Sequence, residues 1–258
     1  MLPILFHIGP LAIHSYGLMV LTGFLLALYY TTRLAKGRMI GHKPDERGII
    51  TPDHVFDMAM VALFASIIGA RALYVLLNLH EYRQHPMEIF KIWSGGLSIH
   101  GAIVVGILWL WYYCRKKKLQ FLEFADICAP AFALGYAIGR IGCFLNGCCY
   151  GSECSLPWGV VFPDAGSIHR HPTQIYATII NLCFFVLLDR LIRRKPPQGV
   201  VFFSFLALYC IYRFVDEIFR KGATAEVMAL GITQAQVFSL VCLPIVLVML
   251  WRKWKRKG

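Results

Sequence analysis

The stretch VFDMAMVALFASIIGARALYVLLNL, residues 55–79, decides the fold class of this chain. It is predominantly apolar and longer than the roughly 20 residues that an α-helix needs to cross a bilayer. The whole chain of 258 residues is 58% hydrophobic and 16% charged, and its mean hydropathy is +0.60. Soluble domains carry about 25% charged residues. The sequence therefore predicts an all-α integral membrane protein.

Six further apolar stretches of similar length lie on either side of this one. Together they predict seven transmembrane helices, at residues 11–33, 55–79, 97–114, 122–145, 173–192, 199–219 and 233–251. Neither an internal repeat nor a low-complexity segment divides the sequence, so residues 1–258 are expected to form a single domain.

The net charge of +12 is concentrated in alternate loops. Of the 26 Lys and Arg residues, five fall within 33–47, four within 115–118, four within 190–195 and five within 252–257. This alternation is the positive-inside pattern, which places the N-terminus outside and the C-terminus in the cytoplasm. The basic segments then face anionic lipid, and no nucleic-acid partner is expected.

With this orientation, polar side chains from five helices fall at one depth, in the outer third of the membrane. They are Tyr16, Arg71, His100, Arg140 and Arg213. Each one alone has a simpler interpretation, namely an arginine reaching the headgroups or a hydrogen bond between helices. An arginine deep in the bilayer costs about 3 kcal/mol, however, so three at one depth call for anionic partners or water. Guanidinium groups match phosphate oxygens, which predicts a lipid-phosphate site.

The sixth predicted helix adds a constraint to this layer. Tyr209, Arg213, Glu217 and Arg220 are spaced by four, four and three residues, which puts them on one stripe of the helix. Glu217 can orient either arginine, so part of the positive charge is not available to a ligand.

Glycines surround Arg140 in the sequence. Gly135 and Gly139 form a GxxxG pair, which favours close approach of two helices. Three more, Gly142, Gly147 and Gly151, are expected to let the backbone approach a ligand.

Four motifs in this order resemble a known family: SGGLSIHG at 94–101, GRIGCFLNG at 139–147, HPTQIYA at 171–177 and YCIYRFVDEIFR at 209–220. The family is the bacterial prolipoprotein diacylglyceryl transferases. The resemblance implies seven spans in the cytoplasmic (inner) membrane and a site in its outer leaflet half. It implies transfer of the diacylglyceryl group of phosphatidylglycerol to the lipobox cysteine of a prolipoprotein. A thioether and glycerol 1-phosphate would result, in the first step of lipoprotein maturation.

The resemblance also assigns roles to residues. It implies catalysis by His100, Arg140 and Arg213. The positions it implies for substrate binding are Tyr16, Arg71, Gly139, Asn146, Gly151, Tyr209, Glu217 and Arg220. The implied partners are phosphatidylglycerol, the prolipoprotein signal peptide and membrane lipids, with no cofactor and no metal. Some members have asparagine in place of Cys143 and an acidic residue in place of Cys148, so roles tied to those side chains do not transfer.

The residues themselves suggest how such a reaction proceeds. A thiol with a pKa of about 8.5 is mostly protonated at neutral pH, and its thiolate is the nucleophile, so a base is needed. His100 suits proton acceptance, since an unperturbed histidine has a pKa of about 6.5. Arg140 and Arg213 can stabilise the charge that grows on a departing phosphate. Alternatively, the cationic field activates the thiol and His100 positions the lipid.

Four cysteines lie on the outer side, at positions 143, 148, 149 and 154. Three interpretations are open: a disulfide, a metal site helped by His169 and His171, or unpaired thiols. The C-x4-C-C-x4-C spacing is not a standard zinc pattern, which places the disulfide first and the metal last.

Two outer loops are expected to form a small periplasmic cap, residues 80–96 and 146–172. The first contains Ile89, Phe90 and Trp93, which suit a short helix in the membrane interface.

Two other function classes are alternatives: a transporter or binding protein for an anionic amphiphile, and a membrane thiol oxidoreductase. The first would show repeat symmetry and the second a C-x-x-C motif, and neither is evident.

Overall fold

The computed structural model describes residues 1–8, 11–38, 48–84, 86–91, 95–220 and 231–255. Over these residues the protein is almost entirely helical, which confirms the all-α fold class. Parts of the basic segments at 33–47 and 252–257 lie outside the described residues, as do Trp93 and Lys221.

Seven long helices coincide with the seven predicted spans within the described ranges, each to within five residues at either end. They are α1 (Ser15–Arg38), α2 (Pro52–Leu77), α4 (Ile99–Lys117), α5 (Phe121–Asn146), α6 (Thr173–Arg193), α7 (Val200–Phe219) and α8 (Gln234–Lys255). Among these, α1, α2, α5, α6 and α8 are long and apolar enough to cross a membrane by length and composition. The protein is therefore a multi-pass membrane protein.

The first helix begins four residues later than the sequence predicted. Leu11–His14 forms strand β2, which pairs antiparallel with β1 (Ile4–Ile8). The Ser15 hydroxyl then donates to the carbonyl oxygens of Leu2 and Pro3. An apolar run of this kind has no period that separates a short strand from the start of a helix.

The two outer loops contain short elements. In the first loop, residues 79–84 form the helix α3 (Leu79–Gln84) and residues 86–90 form a 3-10 turn (Pro86–Phe90), near the position of the predicted interfacial helix. The second loop contains strands β3 (Val160–Val161) and β4 (His169–Arg170), which pair antiparallel.

The chain divides into two compact units, residues 1–30 with 125–258, and residues 31–124. The single-domain organisation stays a prediction. In the smaller unit α2 packs on α4 at paired glycines, because a Cβ on Gly101 would collide with the Gly69 carbonyl oxygen. This unit also contains an ion pair between Arg38 and Glu123, with 3.1 Å between Nη1 and Oε1.

In the larger unit, α5 packs on α1 and is tied to α7. A Cβ on Gly23 of α1 would lie 3.0 Å from the Gly135 carbonyl oxygen, so Gly23 allows this close approach, whereas a Cβ on Gly135 would meet its neighbours only at ordinary contact distances of 3.6 Å or more. The buried carboxylate of Asp126 accepts the backbone N–H groups of Gly199 at 2.6 Å and Phe202 at 2.7 Å. These N–H groups at the start of α7 have no carbonyl partner within the helix, so a side chain of α5 caps α7.

Candidate active site

Two arginines, Arg213 on α7 and Arg220 directly after its last residue, form ion pairs with carboxylates of the same helix. The Arg213 Nη1 atom lies 2.6 Å from Glu217 Oε2 and 3.3 Å from Asp216 Oδ2. Arg220 Nη1 lies 3.8 Å from the same Asp216 oxygen. Both carboxylates are buried, with 5% of Asp216 and 4% of Glu217 exposed. The predicted stripe is confirmed, and Asp216 joins it as the acid that bridges both arginines.

Arg140, on the last turns of α5, is placed differently. Its Nη2 atom donates to the Tyr136 hydroxyl one turn earlier, and its guanidinium carbon lies 4.9 Å from the centre of the Tyr136 ring. Among the described residues Arg140 forms no ion pair. Among the described residues, the two carboxylates of this set form ion pairs with Arg213 and Arg220, whereas the half-buried Arg140 has no carboxylate in ion-pair contact.

Aromatic contacts join α5 to α7 around this charge. The Tyr136 ring lies edge-on to Tyr209 and to Tyr212, with ring centres 6.1 Å and 6.2 Å apart. Asp216 is within electrostatic range of Arg140, Arg213 and Arg220. The structure thus places Arg140 and Arg213, the two principal predicted arginines, around the same carboxylate. Tyr136 and Asp216 were missed, although the spacing of Tyr136 from Arg140 and of Asp216 from Arg220 by one helical turn was a readable signal.

Tyr16 and Asn146 lie at the rim of this arginine cluster. A Cβ on Gly142 would lie 3.3 Å from the Tyr16 Cα, so α1 enters beside α5 one turn below Asn146. Tyr16 is within electrostatic range of Arg140 and is about half exposed. Asn146 ends α5, and its side chain hydrogen-bonds Cys148.

The glycines around Arg140 have different surroundings, and their predicted approach to a ligand stays a prediction. Gly142 packs against α1, Gly147 adopts a positive φ of 76° at the end of α5, and Gly151 packs against the Phe219 carbonyl oxygen. Their role is local packing and turning, so no ligand is needed to explain them. Gly139 is the exception, since a Cβ there would meet nothing within 4 Å.

Arg71, in the smaller unit, has all five N–H donors engaged by backbone carbonyl oxygens. The acceptors are Glu88, Ile89, Lys91, Gly95 and Gly96, at 2.6 to 3.3 Å. The side chain is 6% exposed. Gly96 has a φ of 76°, and a Cβ there would lie 2.6 Å from Arg71 Nη1. Arg71 therefore holds the loop after α3 in place, and in this conformation it has no donor left for a phosphate.

His100, also in the smaller unit, is the second residue of α4 and is exposed. Within the described residues its ring forms no hydrogen bond that would fix its orientation. The structure thus assembles Tyr16, Gly139, Arg140, Asn146, Gly151, Tyr209, Arg213, Glu217 and Arg220 within the larger unit, while His100 and Arg71 belong to the smaller one.

The predicted disulfide is not present, because Cys143, Cys148, Cys149 and Cys154 all carry unbridged sulfurs in the described chain. Cys154 is buried, and its N–H donates to the His169 carbonyl oxygen. The other three form a cluster in which all Sγ atoms lie within 4.8 Å of one another. A hydrogen bond with Cys143, together with the charges of Arg220 and Arg140, lowers the pKa of Cys149 to about 5, whereas burial raises the pKa of Cys148.

Comparison with known proteins shows the family to which this chain belongs. The sequence profile of the family described as prolipoprotein diacylglyceryl transferase matches residues 3–252. A protein of Geobacter sulfurreducens named phosphatidylglycerol–prolipoprotein diacylglyceryl transferase is 40% identical over 85% of this chain and 82% of its own length. Proteins of the same name from Paracidovorax citrulli and Aeromonas hydrophila are 37% and 33% identical, over 99% and 98% of this chain and 96% and 91% of their own lengths. The chain belongs to the prolipoprotein diacylglyceryl transferase family.

Proposed function

We propose that this protein transfers the diacylglyceryl group of phosphatidylglycerol to the lipobox cysteine of a prolipoprotein. The observation that carries the proposal is the arrangement around Arg140. Two arginines of α7 are neutralised by buried carboxylates, while Arg140 beside them has none within the described residues. A guanidinium that has no ion-pair partner in the described chain suits one lipid phosphate. The family relationship and the names of the relatives point to the same substrate class.

The proposed reaction is a displacement at carbon. The thiolate sulfur of the lipobox cysteine forms a bond to the glyceryl carbon that carries the phosphate ester. The carbon–oxygen bond breaks, and its electron pair stays on the phosphate oxygen. Glycerol 1-phosphate leaves, and the diacylglyceryl group remains on the sulfur as a thioether. The thiol proton passes to a base, for which His100 is our candidate.

Arg140 and Arg213 serve the leaving phosphate in this scheme. Arg140 donates one N–H to the Tyr136 hydroxyl, and because a guanidinium has five N–H donors, four remain for the ligand. Glu217 and Asp216 fix the direction of Arg213 and Arg220, so these groups need not reorganise when charge develops. Preorganised donors of this kind stabilise a transition state more than the bound substrate.

The remaining predicted residues divide between contact and support. Tyr16, Tyr209 and Asn146 are proposed to contact substrate from the rim, and Gly139 leaves space beside Arg140 for the lipid. Gly151 is proposed to support the turn after α5. We assign Arg71 to positioning of the loop after α3, because its donors are spent on that loop.

For the membrane we propose seven spans, with the N-terminus outside and the C-terminus in the cytoplasm. The alternation of basic loops supports this orientation, and α4 and α7 have the length of spans, although α4 ends in basic residues and α7 contains Arg213, Asp216 and Glu217. The protein would lie in the bacterial inner membrane, with its site in the outer leaflet half. Residues 80–96 and 146–172 are proposed as a cap that guides the signal peptide.

A reconstituted assay tests the proposal. Purified protein is given vesicles of phosphatidylglycerol and a peptide with a signal sequence and a lipobox cysteine. Release of glycerol 1-phosphate and a mass increase of the peptide by one diacylglyceryl group are expected. Vesicles of phosphatidylethanolamine and a peptide with serine at the lipobox position are the controls. Binding of phosphatidylglycerol without release of glycerol phosphate would favour a lipid carrier instead.

A further inference from the structure

The turn after α5 gathers three thiols that the proposed reaction does not use. The Sγ atoms of Cys143, Cys148 and Cys149 all lie within 4.8 Å of one another. Three thiolates around a tetrahedral metal, each with a bond of about 2.3 Å, stand about 3.8 Å apart. The sulfur–sulfur separations therefore need to shrink by at most about 1 Å for the three sulfurs to share one ion.

Helix termination explains why two of these residues meet. The N–H of Cys148 donates to the Cys143 carbonyl oxygen at 3.1 Å, and the N–H of Gly147 donates to that of Phe144 at 3.1 Å. With the positive φ of Gly147, these two bonds form a Schellman motif. The motif brings the side chains of Cys143 and Cys148 together, although they are five residues apart. The sequence spacing, compared with known zinc patterns, gave no sign of this.

Cys149 is held in the cluster at a conformational cost. Its φ is +64°, a left-handed conformation that costs an L-residue about 1 to 2 kcal/mol. The other non-glycine residues with positive φ in the described chain, Lys118 and Lys195, sit where a helix ends. Gly147 already ends α5, so helix termination does not explain Cys149. Strain of this kind persists where the surroundings impose it, and it concentrates at functional sites.

Buried side chains of α6 impose this conformation. The Thr173 hydroxyl donates to the Cys149 carbonyl oxygen at 2.9 Å, and Gln174 Nε2 donates to that of Cys148 at 2.7 Å. Both side chains are almost fully buried, with 1% and 0% exposed. The backbone that presents the sulfurs is thus fixed before any ligand arrives.

A disulfide accounts for these observations less well. Adjacent Cα atoms are 3.8 Å apart, which is shorter than the 4.4 Å lower limit usual for bridged cysteines, so Cys148 and Cys149 are poorly suited to pair. A bridge from Cys143 to either of them would leave the third sulfur unused. A divalent ion with three thiolates carries one net negative charge, which Arg140 and Arg220 nearby would attract.

We propose that Cys143, Cys148 and Cys149 bind one thiophilic divalent cation, with Zn2+ as the natural occupant and a fourth position open to a small ligand. Sulfur donors select zinc over magnesium or calcium, which prefer oxygen. The ligands bind as thiolates, so every thiol of the cluster that is still protonated loses its proton when the ion binds. His169 and His171 are not members of this group in the described chain, and the His171 ring contacts the Tyr176 hydroxyl at 3.2 Å.

The test measures binding of Zn2+ and Co2+ to the purified full chain, reduced and freed of metal. One equivalent of Zn2+ should bind with release of protons, and Co2+ should give the charge-transfer and visible bands of a thiolate site. Cys143→Ser, Cys148→Ser and Cys149→Ser should each weaken Zn2+ binding at least tenfold. Cys154→Ser is the matched control, because this cysteine lies outside the cluster, and it should bind like the original chain.

Each variant is first checked by gel filtration and thermal unfolding in detergent. A chain that fails this check is replaced by the alanine variant at the same position. The absence of stoichiometric Zn2+ binding by the reduced chain would overturn the proposal. So would undiminished binding by a chain lacking all three thiols. A native preparation that contains no metal and a disulfide from Cys143 to Cys148 or Cys149 would overturn it in favour of that bridge.

Discussion

Replacing Arg140 tests the centre of the proposed site. Lysine keeps the positive charge and loses the planar two-point contact, whereas glutamine loses the charge. Arg140 hydrogen-bonds Tyr136 and forms no ion pair in the described chain, and the buried Asp216 within its electrostatic range keeps Arg213 and Arg220 as ion-pair partners when Arg140 is replaced. The effect should therefore fall on the ligand. Removal of one strong donor to a developing anion costs about 3 kcal/mol, which is a hundredfold or more in kcat for Arg140→Gln. For Arg140→Lys we expect at least about tenfold, from the loss of one charged hydrogen bond of about 1.5 kcal/mol or more.

The assay measures kcat from glycerol phosphate release and phosphatidylglycerol affinity on the same folded preparations. Affinity should fall less than kcat, since the contact strengthens as charge develops. Arg193→Lys is the matched control, because Arg193 is an exposed arginine paired with Asp189 at 2.8 Å on α6, and it should leave kcat unchanged. If both Arg140 variants turn over at near the original rate, Arg140 is a packing or headgroup-seeking residue and the phosphate must bind elsewhere.

Three further substitutions test the supporting assignments. His100→Gln should reduce turnover more at pH 6.5 than at pH 8.5, where more of the substrate thiol ionises unaided, and equal losses at both pH values would remove the base assignment. Gly139→Ala should keep or raise Tm, since alanine favours a helix by up to about 1 kcal/mol and meets no neighbour, while kcat/KM falls because the methyl enters the space kept for lipid. Unchanged kcat/KM would show that this space is not used. Arg71→Lys should lower Tm and speed proteolysis within residues 86–96, because three ammonium donors cannot satisfy five carbonyl oxygens; an unchanged Tm would contradict the loop-holding role.

The helices of this protein are readable from sequence because hydropathy and length govern them. The bounds of α5 and α6 differ from the apolar runs by one residue at most. The α7 stripe is readable for a similar reason, since a spacing of three or four residues fixes neighbours on a helix. Such features depend on local periodicity alone.

The remaining features depend on residues far apart in the chain. Arg71 looked like a ligand for phosphate, but the loop that takes its donors is 17 to 25 residues away and has no periodic pattern. The thiol cluster depends on a Schellman turn followed by a strained φ at Cys149, and spacing rules for metal sites do not include that turn. The start of α1 depends on a strand pairing that hydropathy does not distinguish from helix.

The cap that Asp126 provides to α7 has a consequence at the opposite end of the two helices. Arg140 lies 14 residues after Asp126 on α5, and Arg213 lies 14 residues after Gly199 on α7. At a rise of 1.5 Å per residue, each arginine lies about 21 Å further along its helix than the Asp126 cap that joins the two helices. Sliding α7 by one turn would separate the guanidinium groups by about 5.4 Å in height, too far for one phosphate. The Asp126 cap thus fixes the relative height of Arg140 and Arg213, although Asp126 lies about 21 Å from the proposed phosphate site along the helices.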